Sequence, residues 1–231
     1  MTVALAGLAL ADEMGLMGSS GVHATWADLG TEPGGTTAAF RTLFGSTHKN
    51  FRRFDRAARL LAMACEAAGV AELIPGSARQ DTPLLIETEL GCLQTDRVFA
   101  ASMSEEMADS SAFPYTLANT SLGELAIRYG LRGSTYCLSV DQGQDGLAFA
   151  EALRLLEDGD ASHAVVGRVE WLESALGSWQ PQAQAVVAVL AAVPVDGGLI
   201  RPAAFGAPWP ETGQPVFSRL AEHVARTARG A

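Results

Sequence analysis

The sequence predicts an α/β protein in which helices flank a five-stranded, mainly parallel mixed sheet. Short apolar, β-prone runs alternate along the chain with longer segments that carry a helical apolar stripe. Strands that are apolar on both faces are typical of a sheet buried between two layers of helices. Hydrophobic residues make up 48% of the 231 residues but aromatic residues only 7%. The core is therefore expected to consist mostly of Ala, Val and Leu.

The first element is an apolar run at residues 2–11, which we interpret as a buried strand. A short apolar stretch of this kind also resembles a signal peptide, but no Lys or Arg precedes it, which favours the strand. Residues 12–37 are rich in Gly, Ser and Thr and predict a long surface connection with one short helix. Glycines at every third position from Gly15 to Gly21 leave a phosphate-binding loop as an alternative, although no Gly-Lys-Ser/Thr follows them.

The clearest helix is predicted at residues 47–69, with Gly69 as its stop signal. Its apolar face comprises Leu60, Leu61, Ala64, Ala67 and Ala68. Its first turns carry the one basic cluster of the chain, which comprises His48, Lys49, Arg52, Arg53 and Arg56. This cluster is either a solvated helix face or a docking surface for an acidic partner.

A strand–turn–helix unit is predicted at residues 132–159. Thr135–Val140 forms a buried strand, and a sharp turn at residues 141–143 leads into a helix that ends near Gly159. The apolar stripe of this helix comprises Leu147, Ala150, Leu153 and Leu156. Such a unit puts the turn side chain at a helix N-terminus, where negative charge is stabilised. The turn carries Gln142, an amide that cannot act as a nucleophile.

The remaining elements follow the same periodicities. Strands are predicted at 83–89, 163–169 and 184–193, with one more strand possible within 197–206. Helices are predicted at 91–111, at 117–129 and from about residue 216 to the end.

Composition also limits the classes of function. A net charge of −10 argues against non-specific binding to nucleic acid. Three widely spaced cysteines lack metal-ligand spacing and are expected to be reduced thiols of a cytoplasmic protein. No run of 18 apolar residues predicts a membrane span. Neither a metal nor a cofactor is expected.

Several strings together resemble the N-terminal half of the β-ketoacyl synthases. Residues 54–69 are similar to the family helix that opens with Met-Asp-Arg-Phe, and residues 114–119 match its Pro-x-Thr-x-x-Asn pattern. Residues 126–133 and 148–170 are similar to the segments on either side of the family's nucleophile. The resemblance implies half of a thiolase-type fold over residues 1–195, followed by a strand and helix extension at 196–231.

This sequence does not have the family's catalytic residues at the matching positions. Counted without gaps from Gly133 to Gly159, the active-site cysteine falls on Gln142, and Cys137 lies five residues earlier in the strand. Glutamine at this position resembles the chain-length factors, the ketosynthase-like partner subunits of type II polyketide systems. Ketosynthases are also longer, and their second half supplies two catalytic histidines in motifs that this sequence does not contain. Truncated proteins of this type resemble those encoded beside ketosynthases in aryl polyene gene clusters.

The resemblance implies a non-catalytic, chain-length-factor-like subunit. It would pair with a full-length catalytic β-ketoacyl synthase and shape the acyl or polyene tunnel in polyketide or fatty-acid-type biosynthesis. The implied partner interface comprises Thr135, Tyr136, Cys137, Leu138, Ser139 and Val140. The implied tunnel wall comprises Phe113, Tyr115, Thr116 and Leu117. The implied docking surface for an acyl carrier protein comprises Lys49, Arg52, Arg53 and Arg56.

Two other interpretations remain open at this point. The strand and tunnel-wall residues are equally compatible with ordinary core packing. The chain is also compatible with a stand-alone malonyl-carrier-protein decarboxylase or acyltransferase that uses Gln142 or Cys137.

Overall fold

One mixed sheet organises the computed structural model, which describes residues 2–46, 49–104, 108–193 and 215–229. The strands in these residues are β1 (Thr2–Ala11), β2 (Gly15–Gly18), β3 (His23–Thr25), β4 (Leu84–Thr88), β5 (Thr135–Ser139), β6 (His163–Leu172) and β7 (Gln182–Val193). The helices are α1 (Thr37–Phe44), α2 (Arg56–Ala67), α3 (Val70–Leu73), α4 (Leu93–Met103), α5 (Thr120–Tyr129), α6 (Leu147–Glu157) and α7 (Val216–Arg229). Short 3-10 helices at Phe51–Arg53 and Phe113–Thr116 precede α2 and α5. His48 and the possible strand within 197–206 lie outside the described residues.

The sheet has the strand order β3-β2-β1-β7-β6-β4-β5. Strand β4 runs parallel to β5 and β6, whereas the other pairings are antiparallel. The predicted mixed sheet with flanking helices is confirmed, but the predictions of five strands and of a mainly parallel sheet are wrong. A parallel return needs about a dozen or more connecting residues. The connection from Leu172 to Gln182 is shorter, and β7 therefore runs antiparallel to β6.

The two additional strands lie in the Gly-rich segment for which the sequence predicts a surface connection. Asp12 makes a tight turn by accepting hydrogen bonds from the N–H groups of Met14 and Gly15. Strand β2 then pairs with β1, and β3 with β2. Both strands are too short to show a clear alternation in the sequence. Because Gly15 and Gly18 belong to a strand, the phosphate-loop alternative is wrong.

The two faces of the sheet are covered by different helices, and the alternation of side chains along the central strands follows from this. Val187 and Val189 of β7 belong to the core on the side of α2 and α5. Val186 and Ala188 point to the opposite side and pack against α6 and α7. Successive side chains of a strand point to opposite faces. The uninterrupted apolar sequence of β7 therefore serves two cores at once.

Helix α2 is buried on nearly all sides. Asp55 caps its N-terminus by accepting a hydrogen bond from the N–H of Ala58 at 2.8 Å, so the helix begins at Arg56 and not within the predicted first turns from residue 47. The predicted apolar residues are buried, but the burial extends around the helix to Ala62, Met63 and Cys65. Small side chains let the helix lie between the sheet and α5.

Helix α6 has the predicted position but buries a different face. The buried residues are Ala148, Phe149, Ala152, Leu155 and Leu156, whereas Leu147 is 49% exposed. The predicted stripe through Leu147 and Ala150 is therefore wrong. The two stripes differ by about one residue in phase, which a short amphipathic sequence does not resolve.

Helix α7 packs on the same side of the sheet as α6. Asp145 accepts hydrogen bonds from the N–H groups of Phe217 and Ser218 at 2.8 and 3.0 Å, so the turn before α6 caps α7. Phe217 contacts Phe149 of α6 edge to face at 6.2 Å between ring centroids. The predicted C-terminal helix is confirmed. None of the helices in the described ranges is both long and apolar enough to cross a bilayer.

Strands β1 and β2 approach the end of α2 very closely at two glycines. A Cβ on Gly7 would lie 2.2 Å from the carbonyl oxygen of Ala68, and one on Gly18 would lie 2.2 Å from that of Ala67. The carbonyl oxygen of Ala67 also accepts a hydrogen bond from the N–H of Ser20 at 3.0 Å. These two positions therefore have no room for a side chain.

The substitution Gly18→Ala is expected to lower the free energy of unfolding by roughly 1–3 kcal/mol, because the added methyl group meets backbone atoms that cannot move away separately. Urea unfolding followed by circular dichroism measures the effect. Gly123→Ala in α5 is the matched control, since a Cβ there meets nothing within 4 Å. This control is expected to stabilise the helix by up to about 1 kcal/mol. An unchanged midpoint for Gly18→Ala would contradict the close approach.

Candidate functional site

The turn that carries Gln142 lies at the carboxyl end of β5 and is exposed to solvent. Helix α6 begins five residues later at Leu147, with Gly146 as its N-cap at a φ of 104°. The side-chain oxygen of Gln142 accepts a hydrogen bond from the hydroxyl of Ser178 at 3.0 Å. Its amide is thus bonded to the loop between β6 and β7 and not to the N-terminus of the helix.

The N-terminus of α6 is occupied by the carboxylate of Glu87, a fully buried residue of β4. The Glu87 carboxylate accepts hydrogen bonds from the N–H groups of Gly146 at 3.0 Å and of Ala148 at 2.9 Å. These groups are two of the free donors that make a helix N-terminus attractive to an anion. Because an internal carboxylate takes them, they are not available to stabilise a bound or reacting anion.

Arg168 of β6 joins three carboxylates behind this turn. Its guanidinium lies 3.1 Å from Glu87, 3.2 Å from Glu89 and 3.1 Å from Glu170. It also donates a hydrogen bond to the carbonyl oxygen of Gln144 in the turn. One cation therefore links the carboxyl ends of β4 and β6 to the segment that leads into α6. We call Arg168 and these three glutamates the carboxylate cluster.

Glu170 is the most constrained carboxylate of the cluster after Glu87. It is 4% exposed and accepts hydrogen bonds from the hydroxyl of Thr88 and from the N–H groups of Glu89 and Leu90. Burial raises the pKa of Glu170 above its usual value, while these hydrogen bonds and the charge of Arg168 oppose the increase. The carboxylate thereby ties the loop after β4 to β6.

The three cysteines are poor candidates for a nucleophile. Burial is the main cause that raises the pKa of each thiol: that of Cys92 to about 11, that of Cys137 above its usual value, and that of the fully buried Cys65 still further. A nucleophilic cysteine needs the opposite shift, toward the thiolate. Cys137 lies inside β5 and packs against the core. The alternative of a Cys137-dependent enzyme has no support in this geometry.

The described histidines do not converge on the turn. His23 lies on β3, His163 at the first residue of β6 and His223 on α7. Strands β5 and β6 both run parallel to β4. His163 therefore lies at the amino ends of these strands, and Gln142 lies at their carboxyl ends. Burial lowers the pKa of His163, and its ring lies 3.0 Å from the hydroxyl of Ser162. Within the described ranges, no group of three metal-ligating side chains is placed to hold an ion.

The predicted interface strand is the edge strand of the sheet. Strand β5 pairs with β4 on one side and has no neighbouring strand on the other side among the described residues. The sequence predicts a buried strand, which is wrong: Thr135, Tyr136 and Ser139 are exposed. Val140, just beyond the strand, is buried. Strand β5 therefore presents a row of backbone groups to solvent or to another chain.

The predicted tunnel-wall residues divide into two groups. Phe113 is 60% exposed and Leu117 63% exposed. Tyr115 is buried and contacts the ring of Phe54 at 6.0 Å between centroids, and burial together with nearby Glu124 and Asp55 raises its pKa to about 12. Thr116 is half-buried and donates a hydrogen bond to the carbonyl oxygen of Phe113. Only part of the set is thus available to line a shared channel.

Of the predicted basic residues, Lys49 lies in the turn before the 3-10 helix at Phe51–Arg53, Arg52 and Arg53 lie in that helix, and Arg56 lies in the first turn of α2. Lys49, Arg52 and Arg53 are exposed. Arg56 is engaged, because its guanidinium forms a salt bridge with Glu32 at 2.7 Å and donates to the carbonyl oxygen of Pro33. The exposed cations remain available to an acidic partner.

Comparison with solved structures places this architecture among known folds. The ishigamide ketosynthase/chain length factor superposes with a TM-score of 0.61 at 18% sequence identity, covering 83% of this chain and 62% of that one. The fold is of the ketosynthase type. The AntDE:AntF complex, a type II polyketide synthase acyl-carrier protein with its ketosynthase bound to the hexaketide, matches with a TM-score of 0.53 at 14% identity, covering 82% of this chain and 57% of that one. No protein-family model and no curated protein matches the chain.

The structural similarity to ketosynthase and chain length factor proteins confirms the resemblance seen in the sequence. It extends over most of this chain, which spans about 62% of the length of the ishigamide protein. At this level of identity the likeness concerns the fold. The ketosynthase-type fold places Gln142 and the carboxylate cluster at the carboxyl ends of the parallel strands β4, β5 and β6.

The substitution Arg168→Met is expected to lower the free energy of unfolding at neutral pH by roughly 3–5 kcal/mol, because it leaves two buried carboxylates, Glu87 and Glu170, and the partly buried Glu89 without a cation. A carboxyl group whose pKa is raised in the folded state costs no stability below its pKa in the unfolded chain, and the cost grows with pH until the pH exceeds the folded-state pKa. Loss of Arg168 raises the pKa of Glu170 further. The difference in free energy of unfolding between the variant and the wild type should therefore shrink as the pH falls toward 4.5, the ordinary pKa of Glu. Urea unfolding at several pH values measures it.

Arg154→Met is the matched control, since Arg154 forms ion pairs with Glu151 and Asp158 on the exposed side of α6. Exposed pairs contribute little to stability, so this variant should unfold nearly as the wild type does. Equal losses in the two variants, or a deficit that grows as the pH falls, would show that the carboxylate cluster does not have this role.

Proposed function

We propose that this chain is a non-catalytic, chain-length-factor-like subunit that pairs with a full-length catalytic β-ketoacyl synthase. The observation that carries the proposal is the edge of β5 that no other strand among the described residues covers, at the end of the sheet of a ketosynthase-type fold. An exposed strand edge is a template for pairing with another chain. The similar ishigamide structure is itself a ketosynthase/chain length factor.

The hydrogen bonds of β5 indicate which backbone groups a partner would use. The N–H of Leu84 donates to the carbonyl oxygen of Ser134, and the N–H of Val140 donates to that of Thr88. Alternate residues of a parallel strand bond to the same neighbour. The N–H groups of Thr135, Cys137 and Ser139 therefore point away from β4, toward the free edge.

Exposed apolar side chains on the elements around this edge support the same proposal. The largest exposed ones are Ile127 of α5, Leu117, Phe113 and Tyr136 of β5. Helix α5 packs directly on β5, and the 3-10 helix at Phe113–Thr116 packs on α5. Aromatic and aliphatic side chains of this kind are typical of the core of a protein interface. Phe113 and Leu117, with Thr116 between them, are the residues that we expect to contribute to a tunnel built jointly with the partner.

A non-catalytic role is supported by the chemistry of the turn. Decarboxylative condensation needs a thiolate to hold the acyl chain and donors to stabilise the developing negative charge. Gln142 cannot form a thioester, and Glu87 takes the donors at the N-terminus of α6. The partner would supply the cysteine and the histidines.

The substitution Ser139→Pro is expected to abolish copurification with a catalytic ketosynthase. Proline removes the N–H that faces the free edge without removing a bond to β4, and proline is tolerated on edge strands. Copurification of a tagged ketosynthase with the variant chain, followed by light scattering, measures the assembly. Ser139→Ala keeps the backbone donor and is expected to pair normally.

Circular dichroism of both variants shows whether the fold is retained. A well-folded Ser139→Pro chain that still pairs would contradict the assignment of β5 as the seam. A wild-type chain that forms only a stable homodimer, with no affinity for a ketosynthase, would replace the heteromeric proposal with a homomeric one.

The proposal also includes docking of an acidic acyl carrier protein on Lys49, Arg52 and Arg53, with Arg56 behind them. Replacing Arg52 and Arg53 together by Glu is expected to weaken binding of the carrier protein to the complex, most strongly at low salt, where charge attraction is least screened. Fluorescence anisotropy of a labelled carrier protein measures the affinity. Replacing the exposed Arg154 of α6 and Arg219 of α7 together by Glu makes the same change in net charge and provides the matched control. Equal losses in the two cases would argue against a defined docking surface.

A further inference from the structure

A cleft of about 440 Å³ lies between the start of α2, the N-terminal half of α4 and the 3-10 helix at Phe113–Thr116. Four arginines line it, namely Arg52, Arg53, Arg56 and Arg59. This volume lies within the range of pockets that hold small molecules. The cleft is therefore a basic site on a chain whose net charge is −10.

The positive charge of the cleft is only partly neutralised from within the protein. Two carboxylates, Asp55 and Glu173, line the cleft together with the four arginines. The two oxygens of Asp55 accept hydrogen bonds from the neutral donors of Thr95 at 2.6 Å and Ala58 at 2.8 Å, and Glu173 accepts one from the side-chain amide of Gln94 at 3.3 Å. Across the described ranges, Arg59 forms no salt bridge. Its Nη2 donates to the carbonyl oxygen of Arg52, and its Nε is buried without an acceptor.

Part of the lining of the cleft, which we call the apolar wall, is formed by apolar side chains. It includes Phe54, Val98, Tyr115 and Trp171. Phe54 and Tyr115 are largely buried, whereas Val98 is 47% exposed and gives the wall an open edge. A ligand in this cleft would thus meet both guanidinium groups and aromatic and aliphatic surface.

We propose that the cleft binds a small organic anion, a phosphate monoester or a carboxylate that carries a short apolar tail. The planar fork of a guanidinium matches the oxygens of both head groups. The apolar wall selects the tail, and the negative charge of the rest of the protein disfavours binding elsewhere on its surface. The cleft shares Arg52, Arg53 and Arg56 with the proposed docking surface for a carrier protein. Arg59 and Val98 are not part of that surface, and the cleft does not depend on the pairing of β5. Variants at Arg59 and Val98 therefore test the cleft separately from the proposed function.

Calorimetric titration of the full chain at low ionic strength with hexyl phosphate, hexanoate and hexanol tests the proposal. At least one of the two anions is expected to bind, and hexanol is not. Arg59→Gln should weaken binding of the anion about tenfold or more. Arg59→Lys keeps the charge but not the planar fork, and its affinity for the anion should lie between those of the wild type and of Arg59→Gln. Arg154→Gln, a distant exposed arginine, should bind as the wild type does.

A second variant guards against a folding defect in Arg59→Gln. Val98→Glu adds a carboxylate at the exposed edge of the apolar wall, away from the core. It should weaken binding of the anions and leave the circular dichroism spectrum unchanged. Binding of hexanol as tight as that of the anions, an equal loss in Arg154→Gln, or no binding of either anion would each overturn the proposal.

Discussion

The buried cation of Arg168 is the interaction on which the carboxyl edge of the sheet depends. Glu87, Glu89 and Glu170 each lie within 3.2 Å of the Arg168 guanidinium, which is the one cation paired with them in the part of the chain that the structure describes. Carboxylates in such a place are costly to desolvate unless each oxygen is hydrogen-bonded. The backbone N–H groups of Glu89, Leu90, Gly146 and Ala148 provide those bonds, so the loop after β4 and the start of α6 are positioned by the same cluster.

This arrangement changes the meaning of the turn that carries Gln142. A helix N-terminus at the end of a parallel strand is a favourable place for a reacting anion. Here the protein provides its own anion at that place, and the turn above it is bonded to Ser178. The Glu87 carboxylate at this helix N-terminus stabilises the fold by joining β4 to α6. What the fold still offers to other molecules is the free edge of β5, the exposed side chains beside it and the basic cleft.

Most elements could be predicted from the sequence because each one is a contiguous run with a clear period. Strands β1, β4, β6 and β7 and helices α4, α5 and α7 lie close to their predicted positions. Direction, strand number and edge position could not be predicted in the same way. Strands β2 and β3 are too short to show alternation. The exposure of Tyr136 depends on which strands lie beside β5, a property of topology and not of the local sequence. The carboxylate cluster did leave a signal: glutamates alternate at 87 and 89 in an otherwise buried strand, with Arg168 and Glu170 in another.

The pairing of β1 with β7 has a consequence for the way in which the chain acquires its structure. Leu5 lies opposite Leu190, and both strands are central in the sheet. During synthesis the first strand leaves the ribosome long before its partner on one side exists, with only the short strand β2 available on the other. Contacts between such distant segments slow folding, and an apolar strand that waits for its partner is prone to aggregate. Production of the protein should thus be sensitive to chaperone supply and to the rate of translation.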